Sequence, residues 1–239
     1  MARTNHRGRR RSPLYLPSAF ELFTPSKELV LRHIWIFGPL YAIPLIFSIH
    51  AWIWAPLPHA AHHWWYHSGS LGWGSAGTPL PVYSILILIG FSLLWLILIL
   101  VGGTIIQIMS QRAQLDVAEG KTLSFERLWP AVREMGWRMA GLYIVSSLAI
   151  VFTLFIFARR YILAPYVMLD EKGSIRETMR RSSEISARNS GSVWGVIGVL
   201  FLISLCGILP FIGGLLSFVL GCLYSVAPAL RYQQLKRLA

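Results

Sequence analysis

The chain has 239 residues, of which 55% are hydrophobic and only 13% are charged, whereas soluble domains carry about 25% charged residues. Because the hydrophobic residues form several long runs, the composition indicates an all-α integral membrane bundle and excludes an ordinary soluble domain. The formal net charge is +12 at pH 7. We nevertheless expect no nucleic-acid partner, since cations that flank apolar runs are typical of cytoplasmic loops beside anionic lipid.

Residues 1–33 form a basic segment ahead of the first apolar run. Residues 1–17 contain prolines and have little apolar surface to bury, so we expect them to be disordered. Residues 18–33 scatter apolar side chains around Pro25, which is typical of a short segment at the membrane interface. The sequence therefore predicts a basic cytoplasmic tail and interfacial segment at 1–33, followed by a membrane domain at 34–239.

Two long apolar runs follow this segment. Residues 34–55 include no formally charged residue and can cross about 30 Å of hydrocarbon as a helix. We expect that helix to be kinked at Pro39 and Pro44. Residues 82–110 form a second span, long enough to tilt or to extend beyond the membrane. Residues 56–81, between the two spans, are rich in glycine, serine and proline, which indicates a loop.

This loop contains four histidines in the stretch PHAAHHWWYH, residues 58–67. On a helix their spacing would place them on one side, and imidazoles four residues apart can bind zinc or copper. No carboxylate or thiol accompanies them in the loop, however, and the adjacent aromatic residues are typical of a membrane interface. A metal site, a pH response and an interfacial collar all stay open, and we favour the collar. The candidate metal ligands are His59, His62, His63 and His67.

Charged residues return between 111 and 138. Ser124 can cap a helix in this segment, and the apolar residues after it share one helical face. We therefore expect an amphipathic helix that lies on the bilayer. Its apolar face would consist of Phe125, Leu128, Trp129 and Val132.

A third apolar run covers 139–158 and is followed by residues 159–169. A helix is then predicted at 174–188, since Ser174 and Glu177 form a capping box. Its arginines can contact anionic lipid, each contributing on the order of 1 kcal/mol near the surface. Alternatively it is a solvated helix whose acidic residues pair locally with the arginines. The candidate lipid contacts in this region are Arg159, Arg160, Arg176, Arg180, Arg181 and Arg188.

Residues 193–209 and 211–230 predict a final helical hairpin, turned at Pro210. On its second helix small residues recur at every fourth position, which allows another helix to approach closely. We favour packing within the chain and keep self-association as the alternative. The residues concerned are Gly213, Ser217, Gly221 and Ser225.

The distribution of lysine and arginine predicts the orientation in the membrane. The loop at 56–81 contains neither residue and is expected outside, which places the N-terminus inside. The N-terminal segment and residues 111–138 hold twelve of the 22 basic residues. The other ten also lie inside if 139–169 forms a short or re-entrant hairpin. These 31 residues would give only about 46 Å of helix, too little for two full crossings. We give the charge distribution more weight than the short length of this segment. We therefore expect five to six membrane helices, six if the hairpin forms.

A pattern in the carboxyl-terminal half adds a family resemblance. A short apolar helix ends at Asp170 and Glu171, the next helix contains ETMRRS at 177–182, and a helical pair follows at 193–230. With a weaker match in LPSAFELF near the amino terminus, this resembles uncharacterised bacterial membrane proteins akin to the YciC-like family and the membrane domain of glycerophosphoryl diester phosphodiesterases. The resemblance implies six membrane helices with both ends inside. The chain departs from the family in its shortened third and fourth helices and in lacking the Pro-Gly turn often found between them.

Several motifs of enzymes and transporters are absent from the sequence. The predicted spans contain no Asp or Glu, the residues that proton- or sodium-coupled transport commonly uses. No P-loop, HExxH or GxSxG motif occurs, and no catalytic residue follows from the resemblance, because the phosphodiesterase chemistry belongs to a separate soluble domain. Cys206 and Cys222 lie in apolar runs and suggest neither a disulfide framework nor a metal pair.

We therefore expect a non-enzymatic scaffold or lipid-engaging module of the bacterial cytoplasmic membrane, with its N-terminus in the cytosol and no cofactor. Candidate partners are membrane lipids, among them anionic lipids, and a membrane protein or a second copy of the chain. One alternative is a transporter or permease for a small molecule or lipid. The other is a metal-binding membrane protein or enzyme that uses the histidine cluster.

Overall fold

The computed structural model describes residues 16–54, 82–152, 158–209 and 212–238. These ranges contain ten helices and no strand, which confirms the all-helical fold class. In chain order the helices are α1 (Phe23–Arg32), α2 (Ile34–Trp54), α3 (Val82–Ala118), α4 (Phe125–Phe152), α5 (Ala158–Tyr161), α6 (Ala164–Glu171), α7 (Ile175–Arg188), α8 (Ser190–Cys206), α9 (Gly213–Tyr224) and α10 (Ala227–Lys236).

Three stretches in these ranges are long and apolar enough to cross a membrane. They are Leu93–Ala118 within α3, Phe125–Phe152, and Gly213–Lys236, which covers α9 and α10. Two more qualify only if a bent helix pair is counted as one span: α1 with the first part of α2, bent by 98°, and α7 with α8, bent by 102°. The helices are thus compatible with a membrane location and with three to five spans.

Helix α3 continues to Ala118, eight residues beyond the predicted end of the second span at residue 110. The helix was expected to end before these residues, and that expectation is wrong. Ala113, Leu115 and Val117 are buried in the core, because other helices pack around the end of α3. The helix therefore extends from an apolar zone into a packed region that contains many of the charged residues.

The predicted interfacial helix after Ser124 and the first part of the third span form one continuous helix, α4, of 28 residues. The division of this region into two elements was wrong. The buried side chains Leu128, Met135, Met139 and Leu142 form one stripe along the helix, so the same face packs inward on both sides of the predicted boundary. Residues 153–157 at the end of that span lie outside the described ranges.

Helix α2 includes both Pro39 and Pro44, and the kink expected at these prolines stays a prediction. The final hairpin, in contrast, differs from its prediction. The second helix of the final hairpin, expected to run to residue 230, is instead interrupted at Ser225 and Val226, and α10 begins at Ala227. Proline in the first turn of α10 is favourable there, because the first helical N–H groups have no partner inside the helix.

The described part of the molecule has an apolar end and a charged end. The first part of α3, the last part of α4 and the adjoining ends of α8 and α9 expose many large apolar side chains. In contrast, the largest buried cluster joins the end of α3 and the first part of α4 to α6, α7 and α10. The exposed apolar surfaces are those that a bilayer would cover.

Ion pairs connect the charged segments to one another. Lys236 of α10 lies 2.6 Å from the Asp170 carboxylate of α6. Lys172, which follows α6, lies 2.7 Å from Glu134 of α4. The first part of α4, the region around α6 and the last helix of the chain therefore lie at the same end of the molecule.

The segment before α1 is fixed to the carboxyl-terminal helices by buried donors. The Tyr224 hydroxyl donates to the carbonyl of Ala19 at 2.9 Å. The guanidinium of Arg231 donates to the carbonyl of Pro17 at 2.7 Å. Both donor side chains are fully buried, so these bonds connect distant parts of the sequence inside the fold.

Replacing Tyr224 by phenylalanine should destabilise the protein, because the carbonyl of Ala19 would lose its donor in a buried position. We expect a loss of about 1–3 kcal/mol in the free energy of unfolding. Thermal unfolding of the detergent-purified protein measures it. Tyr161→Phe is the matched control, since the Tyr161 hydroxyl makes no hydrogen bond within the described ranges. Equal stability of the two variants would contradict the assigned role of Tyr224.

Candidate functional site

The predicted histidine site lies outside the described residues, since His59, His62, His63 and His67 all fall between residues 54 and 82. Within the ranges that the structure describes, no group of three or more histidine, cysteine, aspartate or glutamate side chains could hold a metal ion. Metal binding by the histidine loop stays a prediction.

The predicted arginine helix is α7, and it starts as its capping box indicates. The Ser174 hydroxyl accepts the backbone N–H of Glu177 at 3.3 Å. Along this helix Arg176, Arg180 and Arg188 are exposed. Helix α7 therefore has a cationic outer face, and its axis makes an angle of 102° with that of the apolar helix α8.

Two of these arginines pair with nearby acids. Arg180 lies 3.3 Å from Glu184, and Arg181 lies 3.5 Å from Glu171 and 3.6 Å from Glu184. Exposed pairs of this kind contribute only about 0–1 kcal/mol. The local pairing that the sequence suggested is thus present, but it is too weak to prevent these arginines from exchanging a carboxylate for a phosphate.

The remaining two predicted lipid contacts, Arg159 and Arg160, lie on α5 and are half-buried. Helix α5 packs against α7 and α8. The Ser182 hydroxyl of α7 donates to the carbonyl of Arg160 at 2.6 Å. The structure therefore places the six predicted arginines on two helices in direct contact.

The inner face of α7 is made largely of small polar residues, which the sequence analysis missed. Thr178, Ser182 and Ser186 are buried and recur at every fourth position. The Ser186 hydroxyl donates to the carbonyl of Ser182 at 2.7 Å, and Thr178 contacts the Met168 sulfur at 3.6 Å. Small hydroxyl side chains satisfy their own donors in this way and let α5 and α6 approach closely.

The first residues of the small-residue strip on α9 lie against α8 and the turn after it. A Cβ atom at Gly213 would overlap the carbonyl oxygen of Cys206 and would lie 2.9 Å from the Leu209 Cβ atom. A Cβ atom at Gly221 would lie 4.0 Å from the Ile203 side chain. The chain therefore packs against itself at both glycines.

The two serines of the strip contact different elements. A Cβ atom at Gly207 would lie 3.6 Å from the Ser217 Cβ atom, so Ser217 lies beside the turn after α8. Ser225 accepts a hydrogen bond from the Tyr41 hydroxyl of α2 at 2.5 Å. All four residues thus have neighbours within the chain.

A buried polar cluster around Gln114, which we call the Gln114 junction, connects α3 to α2 and α6. The Tyr166 hydroxyl of α6 donates to the Gln114 carbonyl at 2.7 Å. The Gln114 amide donates to Ser110 at 3.1 Å and to the Tyr41 hydroxyl at 3.4 Å. Burial raises the pKa of Tyr166, so this hydroxyl keeps its proton and remains a donor. The junction is composed of side chains that satisfy one another.

Neighbouring polar residues of α3 extend these connections. The Tyr143 hydroxyl of α4 donates to Gln111 at 2.6 Å. Arg112 lies 2.9 Å from Asp116 one turn later and donates to the carbonyl of Leu169 at 3.2 Å. The polar end of α3 is therefore held by α4 and α6, which explains why it is helical rather than a loop.

Asp170 is the acceptor that joins α6 to α10. Its carboxylate accepts from the Tyr232 hydroxyl at 2.6 Å and from Lys236 at 2.6 Å. Partial burial disfavours the charged carboxylate, but the hydrogen bonds from Lys236 and Tyr232 outweigh burial, so the pKa of Asp170 lies below its usual range. Asp170 is thus ionised at neutral pH and fixes the last helix.

Sequence reasoning also missed a groove between α3 and α4. Its volume is about 750 Å³, and its lining is mostly apolar. Gly136 and Ala140 leave space on the α4 side, one turn apart, and Arg133 lies one turn before Gly136 at one end of the groove. The signal in the sequence is this pair of small residues four apart, which follows a cation one turn earlier.

No protein-family model, curated protein or solved structure matches the chain. The resemblance to the YciC-like family and to the membrane domain of glycerophosphoryl diester phosphodiesterases therefore stays a prediction. The features that bear on function are the cationic face of α7, the Gln114 junction and the groove between α3 and α4.

Replacing Gly213 by alanine should destabilise the fold, because the new methyl group has no room beside Cys206. Overpacking of this kind costs about 1–3 kcal/mol. Gly214→Ala is the matched control, since its methyl group would meet no atom within 4 Å and alanine favours the helix by up to about 1 kcal/mol. Thermal unfolding of both variants in detergent should show them shifted in opposite directions. A Gly213→Ala protein as stable as Gly214→Ala would contradict the close approach.

The Asp170→Asn variant should lose about 1–2 kcal/mol of stability at neutral pH, because its charge-assisted hydrogen bonds are weakened. Since the folded-state pKa of Asp170 is lowered, its contribution is present above the ordinary value of about 3.9 and disappears as the pH falls through the folded value. Unfolding measured across this range should therefore show the difference from wild type narrowing below about pH 4. The exposed Glu126 provides a control variant, Glu126→Gln, and a pH-independent difference for Asp170→Asn would refute the assignment.

Proposed function

We propose that the protein is a non-enzymatic module of the bacterial cytoplasmic membrane that engages anionic lipid and can serve as a scaffold. The observation that carries this proposal is the exposed cationic face of α7, set at 102° to the apolar helix α8. A helix that meets a membrane span at nearly a right angle lies parallel to the membrane surface. Its exposed arginines are then at the level of the phosphate groups.

The charged end of the molecule faces the cytosol in this proposal. The ion pairs Lys236–Asp170 and Lys172–Glu134 keep the charged segments together, and positively charged segments are retained on the cytoplasmic side. Helix α1 makes an angle of 98° with the first part of α2 and would lie on the same surface as α7. The N-terminus is then cytoplasmic.

The re-entrant arrangement of 139–169 fits the same orientation. From Trp137, which is 92% exposed, to Phe152 the helix α4 extends by about 22 Å, less than the roughly 30 Å of hydrocarbon. Only five residues separate Phe152 from Ala158, and they can cover at most about 20 Å. Ala158 is buried on α5, which packs against α7, and this supports a return to the charged end.

Removing exposed cations from α7 should weaken the preference for anionic lipid. We expect Arg176→Gln combined with Arg180→Gln to lower the enrichment of phosphatidylglycerol around the protein by about fivefold for each cation, at low salt. The enrichment is measured by mass spectrometry of lipids retained by the protein, after reconstitution in mixed phosphatidylglycerol and phosphatidylcholine vesicles.

The control reverses the charge change on the same helix. Glu177→Gln combined with Glu184→Gln removes two exposed acids and should raise the enrichment instead. An enrichment that is absent in the wild type, or that responds to neither pair of substitutions, would contradict the proposal. Loss of enrichment at high salt is also expected, because exposed charges are screened.

A further inference from the structure

The groove between α3 and α4 is open along the apolar part of both helices. Its volume is about 750 Å³. The walls are apolar side chains such as Ile105 and Leu148, and Gly136 and Ala140 leave space on its α4 side. The Tyr143 hydroxyl in its lining is already bonded to Gln111 at 2.6 Å. A molecule that fills the groove would therefore make mainly apolar contacts.

The length of the groove matches one leaflet of a bilayer. From Trp137 to Leu148, both lining residues, α4 extends by about 16 Å. Half of the hydrocarbon core is about 15 Å thick. Trp137 is 92% exposed, and tryptophan is the residue typical of the boundary between hydrocarbon and headgroups. The groove thus extends from the headgroup boundary to the level of the bilayer centre.

A cation stands at the headgroup end of the groove. Arg133 lies one helical turn before Trp137, also lines the groove and is exposed. Its neighbour Glu134 pairs with Lys172. Within the ranges that the structure describes, Arg133 forms no ion pair or hydrogen bond. None of the described residues therefore compensates its charge, at the depth where lipid phosphates would lie.

We propose that this groove holds an acyl chain of one anionic phospholipid whose phosphate contacts Arg133, and this inference rests on the proposed lipid-engaging function. An anionic lipid fits because Arg133 lies at one end of the groove and the apolar lining beyond it is about as long as one leaflet is thick. Electrostatic attraction would select the anionic headgroup, and burial of methylene groups would supply affinity.

The size of the groove favours a lipid chain over a helix from a second copy. A helix is about 10 Å wide with side chains, so a 16 Å segment would occupy roughly 1,200 Å³ by this width. The groove provides about 750 Å³. Gly136 and Ala140 could also receive a helix, since small residues four apart allow close packing, and this occupant is one outcome of the test.

Photo-crosslinking tests the inference with the full chain in phosphatidylcholine vesicles. A small fraction of phosphatidylglycerol carrying a photoreactive group in its acyl chain is added, and the crosslinked residues are mapped by mass spectrometry. We expect adducts on groove residues of α3 and α4, competed by unlabelled phosphatidylglycerol but not by phosphatidylcholine. Arg133→Gln should lower this crosslinking about fivefold. Arg127→Gln, on the exposed side of the same helix, should leave it unchanged.

A second experiment fills the groove with a larger side chain. Gly136→Leu adds a side chain where a Cβ atom meets nothing within 4 Å, so the fold is retained and the crosslink should disappear. Gly103→Leu is the matched control, because its Cβ atom also meets nothing within 4 Å and Gly103 does not line the groove. The groove inference is overturned by adducts that survive Gly136→Leu, by equal labelling with phosphatidylcholine, or by crosslinks between two copies of the chain at these residues.

The two proposals fail in different ways. If the groove yields no adduct while phosphatidylglycerol is still enriched through the arginines of α7, the groove inference is wrong and the lipid-engaging function remains. If no part of the protein prefers phosphatidylglycerol, both are wrong. Retention of helical content by circular dichroism in every variant ensures that a lost crosslink reports on the groove.

Discussion

A charged side chain is costly in hydrocarbon, and the arrangement of this chain follows from that constraint. At one end of the molecule its long helices expose apolar side chains. At the other end, cations and carboxylates form ion pairs. The ion pair between Lys236 and Asp170 and that between Lys172 and Glu134 each join segments more than thirty residues apart in sequence. Because the charged residues are collected at one end, their ion pairs also connect distant parts of the sequence.

The polar end of α3 is where the membrane-like part of the molecule meets this charged end. Gln114 is buried, and it is tolerated there because Tyr166 donates to it and Ser110 and Tyr41 accept from it. Unpaired, these groups would each cost about 1–3 kcal/mol. The junction therefore fixes the relative positions of α2, α3 and α6. Because its polar groups satisfy one another, the junction acts as a rigid connection between these three helices.

Close helix packing in this chain depends on small residues in two different settings. On α9 a glycine lies against the carbonyl of Cys206, and the small side chain permits contact. On α4 the small residues Gly136 and Ala140 face a groove instead. The same sequence signal, small residues four apart, thus produces a packed interface in one helix and an open space in another. The difference depends on the helix that faces the small residues.

Much of the fold could be predicted from local signals. Apolar run length predicted membrane helices, and the capping box at Ser174 gave the start of α7, because both depend on residues close together in the chain. The extension of α3 could not be predicted, since Gln111 and Asp116 are stabilised by partners far away in sequence. The continuity of α4 was missed because its polar first part differs in composition from its apolar second part. The groove was missed for the same reason as the α3 extension: it exists only between two helices.

The central claim is that all charged segments lie on one side of the membrane. Cysteine labelling from outside the cell tests it most directly. In a background with Cys206→Ala and Cys222→Ala, single cysteines are introduced as Lys121→Cys, Arg176→Cys, Arg237→Cys and Ser70→Cys. A membrane-impermeant maleimide should label the Ser70→Cys protein in intact cells and the other three only after the membrane is opened. Labelling of Arg176→Cys or Arg237→Cys from outside, with Lys121→Cys protected, would contradict the account.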